Sequence, residues 1–194
     1  KIMIQSLVST MGTASIAGFA VAGNLANIEY LVGLAIGMGL VTIASQCSGA
    51  KEFGQVRQYT KKLLLLNYGI LFFVVLAIDL FRGPIVSIYN LSPEASAIAS
   101  GLILFHGFAM LVWPPAFVLP NALRASSDVT FTMVIAVSSM WAFRIGLAYL
   151  LVYVFHTPVI GVWIAMSIDW IFRCIVFIAR MAGTKWMRHG SDDE

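Results

Sequence analysis

The sequence predicts an all-α membrane protein, a bundle of six transmembrane helices, from its composition and from its hydropathy pattern. Of the 194 residues, 60% are hydrophobic and 11% are charged, and the mean hydropathy is +0.90. The apolar residues recur in long runs along the whole chain. A transmembrane barrel would instead show short alternating segments, and a signal peptide would show one short apolar core. We therefore expect membrane-embedded helices throughout.

Each crossing of a bilayer needs roughly 20 mostly apolar residues. Two stretches also carry helix-start signals, in which a hydroxyl is followed by proline: Ser92 with Pro93, and Thr157 with Pro158. The expected spans are 2–25, 29–48, 63–81, 95–121, 129–154 and 158–181, followed by a tail at 182–194.

Basic residues predict the orientation of these spans, because cytoplasmic connections are enriched in lysine and arginine. One side carries Lys51, Arg57, Lys61, Lys62, Arg124, Arg180, Lys185 and Arg188, whereas the other side carries Arg82. We expect the first side to be cytoplasmic, together with both ends of the chain. The net charge of +3 is thus a matter of topology and does not indicate binding to nucleic acid. The spacing of the cysteines and histidines predicts no metal site.

The first expected span has an unusually polar face, which groups Gln5, Ser6, Ser9, Thr10 and Thr13 within an arc of about 140°. Two interpretations stay open. These side chains bond neighbouring helices or their own backbone, or they line a water-filled cavity that binds substrate.

The second expected span contains Gly33 and Gly37, whose spacing predicts close helix packing. Glu29 precedes them at the outer end of this span, where we expect its carboxylate to reach water; the alternative is a carboxylate that couples transport to an ion.

The fourth span holds Pro114, Pro115 and Pro120, and an interior proline removes a helical hydrogen bond. We expect a hinge there, because unwound backbone in a membrane marks binding sites or gates. His106, Met110, Trp113 and Phe117 follow one stripe of this helix. Substrate binding by His106, Met110 and Trp113 and simple core packing are both open.

The last two spans bury charge. Asp169 and Arg173 are four residues apart on the sixth span, and Arg144 on the fifth span is a second candidate partner for Asp169. We expect one intramembrane charge network, which holds helices together or serves transport.

Four phrases of the sequence point to one family when they are taken in order. They are MGTASIAGFAVAGNL at 11–25, TIASQCSGAKEFGQVRQYTKK at 42–62, LPNALRASSDVTF at 119–131 and GVWIAMSIDWIFR at 161–173. Together they resemble the multidrug and toxic compound extrusion (MATE) transporters of bacteria. Such transporters have twelve helices in two lobes, and this chain resembles the second lobe.

The resemblance implies a transporter of the bacterial cell membrane rather than an enzyme. It would export cationic or amphipathic small molecules in exchange for protons or sodium ions, with no other cofactor and with a missing N-terminal lobe as partner. In one branch of the family an acidic residue on the helix of the fourth span belongs to a cation site. Trp113 stands at that position here, so this site is not carried over. A lipid or polysaccharide flippase, a noncatalytic assembly subunit and an intramembrane enzyme are the alternatives.

Overall fold

The computed structural model describes residues 2–190, with side chains for 3–187, and this part of the chain is helical without strands. The all-α fold class is therefore confirmed. The α-helices are α1 (Ile2–Ser9), α2 (Thr13–Gly49), α3 (Phe53–Ile88), α4 (Pro93–Ala109), α5 (Trp113–Phe117), α6 (Leu119–Ala125), α7 (Val129–Ser139), α8 (Ala148–Tyr153) and α9 (Ile160–Ala182). A π-helix covers Met140–Leu147, and a 3₁₀-helix covers Lys185–Gly190. The last residues of the expected tail, 191–194, lie outside the described residues.

Four of these helices are long and apolar enough to cross a membrane, and the count becomes five if the broken pair α4 and α5–α6 is one span. Many large apolar side chains on them are exposed, among them Phe73, Leu80 and Ile88. Exposed apolar surface on long helices is what a lipid environment requires. The chain is thus a multi-pass membrane protein.

The first two expected spans differ from the helices that form. Residues 26–28, which were expected to separate them, contain neither proline nor glycine, and α2 runs through them without a break. The break occurs earlier, at Thr10 to Gly12, where Gly12 adopts a φ of 90° that favours glycine. The expected span 2–25 is therefore the short helix α1 followed by the beginning of α2, and the span 29–48 is the rest of α2.

The fourth expected span is broken, as its prolines predict. Residues 110–112 form a turn between α4 and α5, and Val118 interrupts the helix again before α6. At the other end of this span, Ser92 caps α4, because the Ala95 N–H donates to the Ser92 hydroxyl at 3.2 Å. Both the start signal and the interruption are therefore confirmed.

The chain folds into two compact units, which share α2, α3 and α9. The first unit comprises 2–30, 72–110 and 140–169, and its core includes Leu7, Leu102 and Trp163. The second unit comprises 31–71, 111–139 and 170–190, and its most buried side chains include Leu40 and Phe177. Each unit has its own apolar core and its own polar groups.

Candidate functional site

The main polar site lies in the first unit, where α2 and α4 bring a glutamate and a histidine together. His106 Nδ1 lies 2.5 Å from Glu29 Oε2, and His106 Nε2 lies 3.0 Å from the Tyr30 hydroxyl. Glu29 and His106 are each 2% exposed. A His106 that carries its proton on Nδ1 donates it to Glu29, and Nε2 then accepts a hydrogen bond from Tyr30. We call these three residues the Glu29 cluster.

The burial of Glu29 corrects the expectation that it reaches water at a helix end. Because α2 is one continuous helix, Glu29 lies in its interior, and its carboxylate is held by the imidazole of α4. A carboxylate in this setting is costly unless it is paired and hydrogen-bonded. His106 supplies that hydrogen bond.

Aromatic rings and a second carboxylate surround the cluster. The ring centroid of Trp163 on α9 lies 5.0 Å from that of His106, with the rings close to perpendicular. Asp79 on α3 lies within electrostatic range of both Glu29 and His106. It approaches α4 at Gly107, where an added β-carbon would lie 2.6 Å from Asp79 Oδ2. Glycine at this position therefore allows the carboxylate of α3 to reach the helix that carries His106.

The predicted charge network is present in part within the same unit. Arg144 Nε lies 3.7 Å from Asp169 Oδ2, and Asp169 is fully buried. Arg144 belongs to the π-helix and also lies within electrostatic range of Tyr30. π-helical turns inserted in α-helices are frequent at functional sites. Arg144 thus connects the Asp169 pair electrostatically to the Glu29 cluster.

Arg173, the third member of the predicted network, belongs to the second unit. Its Nη2 donates to the backbone carbonyl of Ala136 at 2.9 Å, and its guanidinium lies 5.5 Å from the ring centroid of Phe117. Backbone carbonyls and aromatic faces are common partners for arginine within membranes.

The polar face predicted on the first span is exposed in the structure. Gln5 and Ser9 lie on α1, and Thr13 begins α2 beyond the break at Gly12. The Ser9 hydroxyl donates to the backbone carbonyl of Ser6 at 2.7 Å, so its donor is already used within α1. Because the helix is interrupted, these three side chains do not share one continuous helical face.

The aromatic stripe of the fourth span is packed rather than open. Met110 is 1% exposed and Trp113 is 4% exposed. In the second unit, Trp113 stacks on Phe117 with centroids 5.0 Å apart, and a β-carbon at Gly33 would overlap its indole ring. The close packing predicted for Gly33 is therefore present, and its partner is Trp113. Pro114 and Pro115 are buried in the same turn of α5.

The connection after α6 holds another buried carboxylate. Asp128 is 3% exposed, and both of its oxygens accept hydrogen bonds from Arg180 of α9, at 2.7 and 3.0 Å. Arg180 also lies 4.3 Å from the ring centroid of Phe131. Asp128 thus ties the start of α7 to the end of α9.

Beside this connection, the second unit contains a cavity of about 380 Å³. Its lining residues are Ala116, Phe117, Pro120, Arg124, Val129, Thr132, Met133, Ala136, Val137, Arg173 and Phe177. This cavity shares Phe117 with the predicted stripe, but its lining does not include His106, Met110 or Trp113.

Sequence reasoning missed Tyr30 and Asp79 and assigned Glu29 to the wrong environment. The available signal was the position of Glu29 and Asp79 inside long apolar runs of the sequence. Among residues 2–190, no group of three or more His, Cys, Asp or Glu is arranged to hold a metal ion.

Comparison with known proteins decides the family. A family model described as MatE matches residues 1–150, which is more than half of the chain. The chain belongs to the MatE family. Both Glu29 and His106 lie inside the matched range, so the Glu29 cluster is part of the family domain.

Curated relatives agree with this assignment. The chain is 25% identical to the probable multidrug resistance protein YoeA of Bacillus subtilis, over 84% of this chain. It is 27% identical to a probable multidrug resistance protein NorM of Oceanobacillus iheyensis over 92% of this chain, and 29% identical to one of Neisseria meningitidis serogroup B over 84%. The chain spans 35%, 40% and 36% of the lengths of these relatives, respectively.

Proposed function

We propose that this MatE chain is part of a secondary active efflux transporter that exports cationic or amphipathic small molecules in exchange for protons or sodium ions. The names of the relatives support export of drug-like compounds. The observation that carries the coupling is the Glu29 cluster. A histidine and a glutamate buried together form a site whose charge changes when one proton binds. Intramembrane ionisable groups of this kind serve proton relays in other transporters.

Protons are the coupling ion that this geometry favours. Glu29 Oε2 is hydrogen-bonded to His106 Nδ1. An imidazole can bind a proton, but it offers no oxygen ligand to a sodium ion. Asp79 supplies a further carboxylate within electrostatic range. In this proposal Glu29 and His106 hold the coupling proton, Tyr30 orients the imidazole, and Arg144 adjusts the local potential.

The test is efflux of a cationic dye by the full-length protein in proteoliposomes, driven separately by a proton gradient and by a sodium gradient. Glu29→Gln is expected to abolish proton-driven efflux and to leave dye binding in place. Glu94→Gln is a matched control, because it makes the same change at an exposed carboxylate in the first turn of α4. Efflux that follows only the sodium gradient, or that survives in Glu29→Gln, would contradict proton coupling at this site.

Substrate contact is proposed for the exposed polar side chains of α1 and of the start of α2, namely Gln5, Ser9 and Thr13. They are accessible, whereas Met110 and Trp113 are buried and require a rearrangement before they touch a substrate. Replacement of Thr13 by valine removes the hydroxyl with little change of shape. It is expected to alter the relative efflux of several dyes, and an unchanged dye profile would argue against this contact.

In the proposed orientation the protein spans the bacterial plasma membrane, and its basic connections lie on the cytoplasmic side. Because α2 is one continuous helix that ends beside the basic connection at Lys51, this proposal places its start on the external side, unlike the expectation that both ends of the chain are cytoplasmic. An impermeant thiol reagent should label Ser9→Cys in intact cells but not Ser127→Cys, in a background without Cys47 and Cys174. Both target side chains are exposed. The reverse labelling pattern would refute the orientation.

A flippase for lipids or polysaccharides is the second candidate. The presence of Arg124 and Arg173 in one cavity favours it, since anionic headgroups bind to arginine. If the chain and its proposed N-terminal lobe form a drug exporter, the protein should export dye and should not translocate lipid. Translocation of a fluorescent phospholipid by the same proteoliposomes, with no dye efflux, would replace the first function by the second.

A further inference from the structure

The cavity of the second unit has the shape of an open groove with apolar walls. Phe117 and Phe177 line its inner side, and residues of α7 line its outer side. On α7, Val129, Met133 and Val137 follow one another at intervals of four residues and are 49%, 58% and 47% exposed. Over those eight residues the helix rises about 12 Å. The groove therefore presents a continuous apolar strip along α7.

Arginine is the charged residue type in this groove. Arg124 lies at the end of α6, where its Nη2 donates to Asn121 Oδ1 at 2.8 Å and its Nε donates to the Pro120 carbonyl at 3.3 Å. Arg173 is 7% exposed and lies deeper along α9. Hydrogen bonds therefore orient both guanidinium groups, those of Arg124 to Asn121 and Pro120 and that of Arg173 to the Ala136 carbonyl. A guanidinium has five N–H donors in total.

The described residues that line the groove include no carboxylate. The nearest acidic residue in sequence, Asp128, has both oxygens engaged by Arg180. The groove is therefore positive at its end near the 125–129 connection and apolar along its length. A ligand that fits this pattern has an anionic group joined to a hydrocarbon chain.

We propose that this groove binds an anionic phospholipid of the membrane leaflet that adjoins the 125–129 connection. Its phosphate accepts hydrogen bonds from Arg124, and one acyl chain lies along Val129, Met133 and Val137. Arg173 adds positive potential deeper in the groove. A basic pocket between transmembrane helices is a general form of lipid headgroup recognition.

The test measures binding of phosphatidylglycerol and of phosphatidylcholine with identical acyl chains to the purified full-length protein, by native mass spectrometry and by thermal stabilisation in detergent. Phosphatidylglycerol is expected to bind more tightly. Arg124→Gln should weaken its binding about fivefold, which is typical of one basic residue at an anionic surface. Met133→Trp should weaken it as well, since the larger side chain fills the groove while the charge stays the same.

Lys61→Gln is the matched control, because Lys61 is an exposed basic residue outside the groove. Binding in this variant should equal that of the unaltered protein. An equal loss in Lys61→Gln and Arg124→Gln would show diffuse surface electrostatics and overturn the proposal. So would equal binding of the two lipids, or unchanged binding in Met133→Trp. Soluble glycerol phosphate is expected not to compete, and competition by it would indicate a phosphate site without an acyl groove.

Discussion

The pairing of Asp128 with Arg180 predicts a measurable loss of stability when the carboxylate is neutralised. Asp128→Asn keeps the shape of the side chain but replaces one of the two oxygens that accept at 2.7 and 3.0 Å. A hydrogen bond to a charged group contributes about 1.5–3 kcal/mol, and removal of one partner of a buried pair costs about 3–5 kcal/mol. Arg180 is 15% exposed, so its charge is partly solvated after the change. We therefore expect a loss of about 2 kcal/mol, at the lower end of these ranges.

The assay is reversible unfolding in mixed detergent micelles, applied as a double-mutant cycle of Asp128→Asn and Arg180→Gln. A coupling energy of about 1.5–2 kcal/mol is expected, since contacting residues commonly couple within about 0.5–3 kcal/mol. Ser127→Ala serves as the control, because Ser127 is the exposed neighbour of Asp128 in the same connection. Additive effects of Asp128→Asn and Arg180→Gln, or a larger loss in Ser127→Ala than in Asp128→Asn, would refute the reasoning.

Two further changes test the interior of each unit. Asp169→Asn is expected to lower the amount of folded protein in the membrane, because it removes the charge that Asp169 contributes to its ion pair with Arg144; normal abundance with abolished transport would indicate a direct role in transport instead. Trp113→Ala is expected to destabilise the second unit by about 3–5 kcal/mol, the usual cost of emptying a buried aromatic site. Trp113→Phe should cost less, and retention of full stability in the alanine variant would contradict the packing against Gly33.

The sequence predicted the class of the fold because hydropathy and helix breakers act locally. The prolines of the fourth span and the cap at Ser92 are read directly from neighbouring residues, and both had the expected effect. The first two spans were placed wrongly because the continuity of α2 is not evident from local signals alone. The expected length of one crossing placed Glu29 at a helix end, yet α2 continues through it, and the carboxylate has a buried partner on α4.

The candidate site depends on contacts that no local pattern specifies. Glu29 and His106 are separated by 77 residues and meet only when α2 and α4 pack together. Glu29 and His106 were both named from their own helices, but their contact was not predicted. For Trp113, substrate binding and core packing both stayed open, and the structure shows packing against Gly33. Asp128 likewise found its partner 52 residues away in Arg180 rather than at its own helix start.

The central claim is that Glu29 and His106 hold the proton that drives export, and proton movement tests it most directly. The full-length protein is reconstituted in vesicles with a pH-sensitive dye trapped inside, and proton flux is recorded when a transported cationic compound is added to one side. For the unaltered protein and for Glu94→Gln, we expect the added substrate to drive protons in the direction opposite to its own movement. For Glu29→Gln, we expect no such proton movement. Substrate-dependent proton movement of normal size in Glu29→Gln would contradict it.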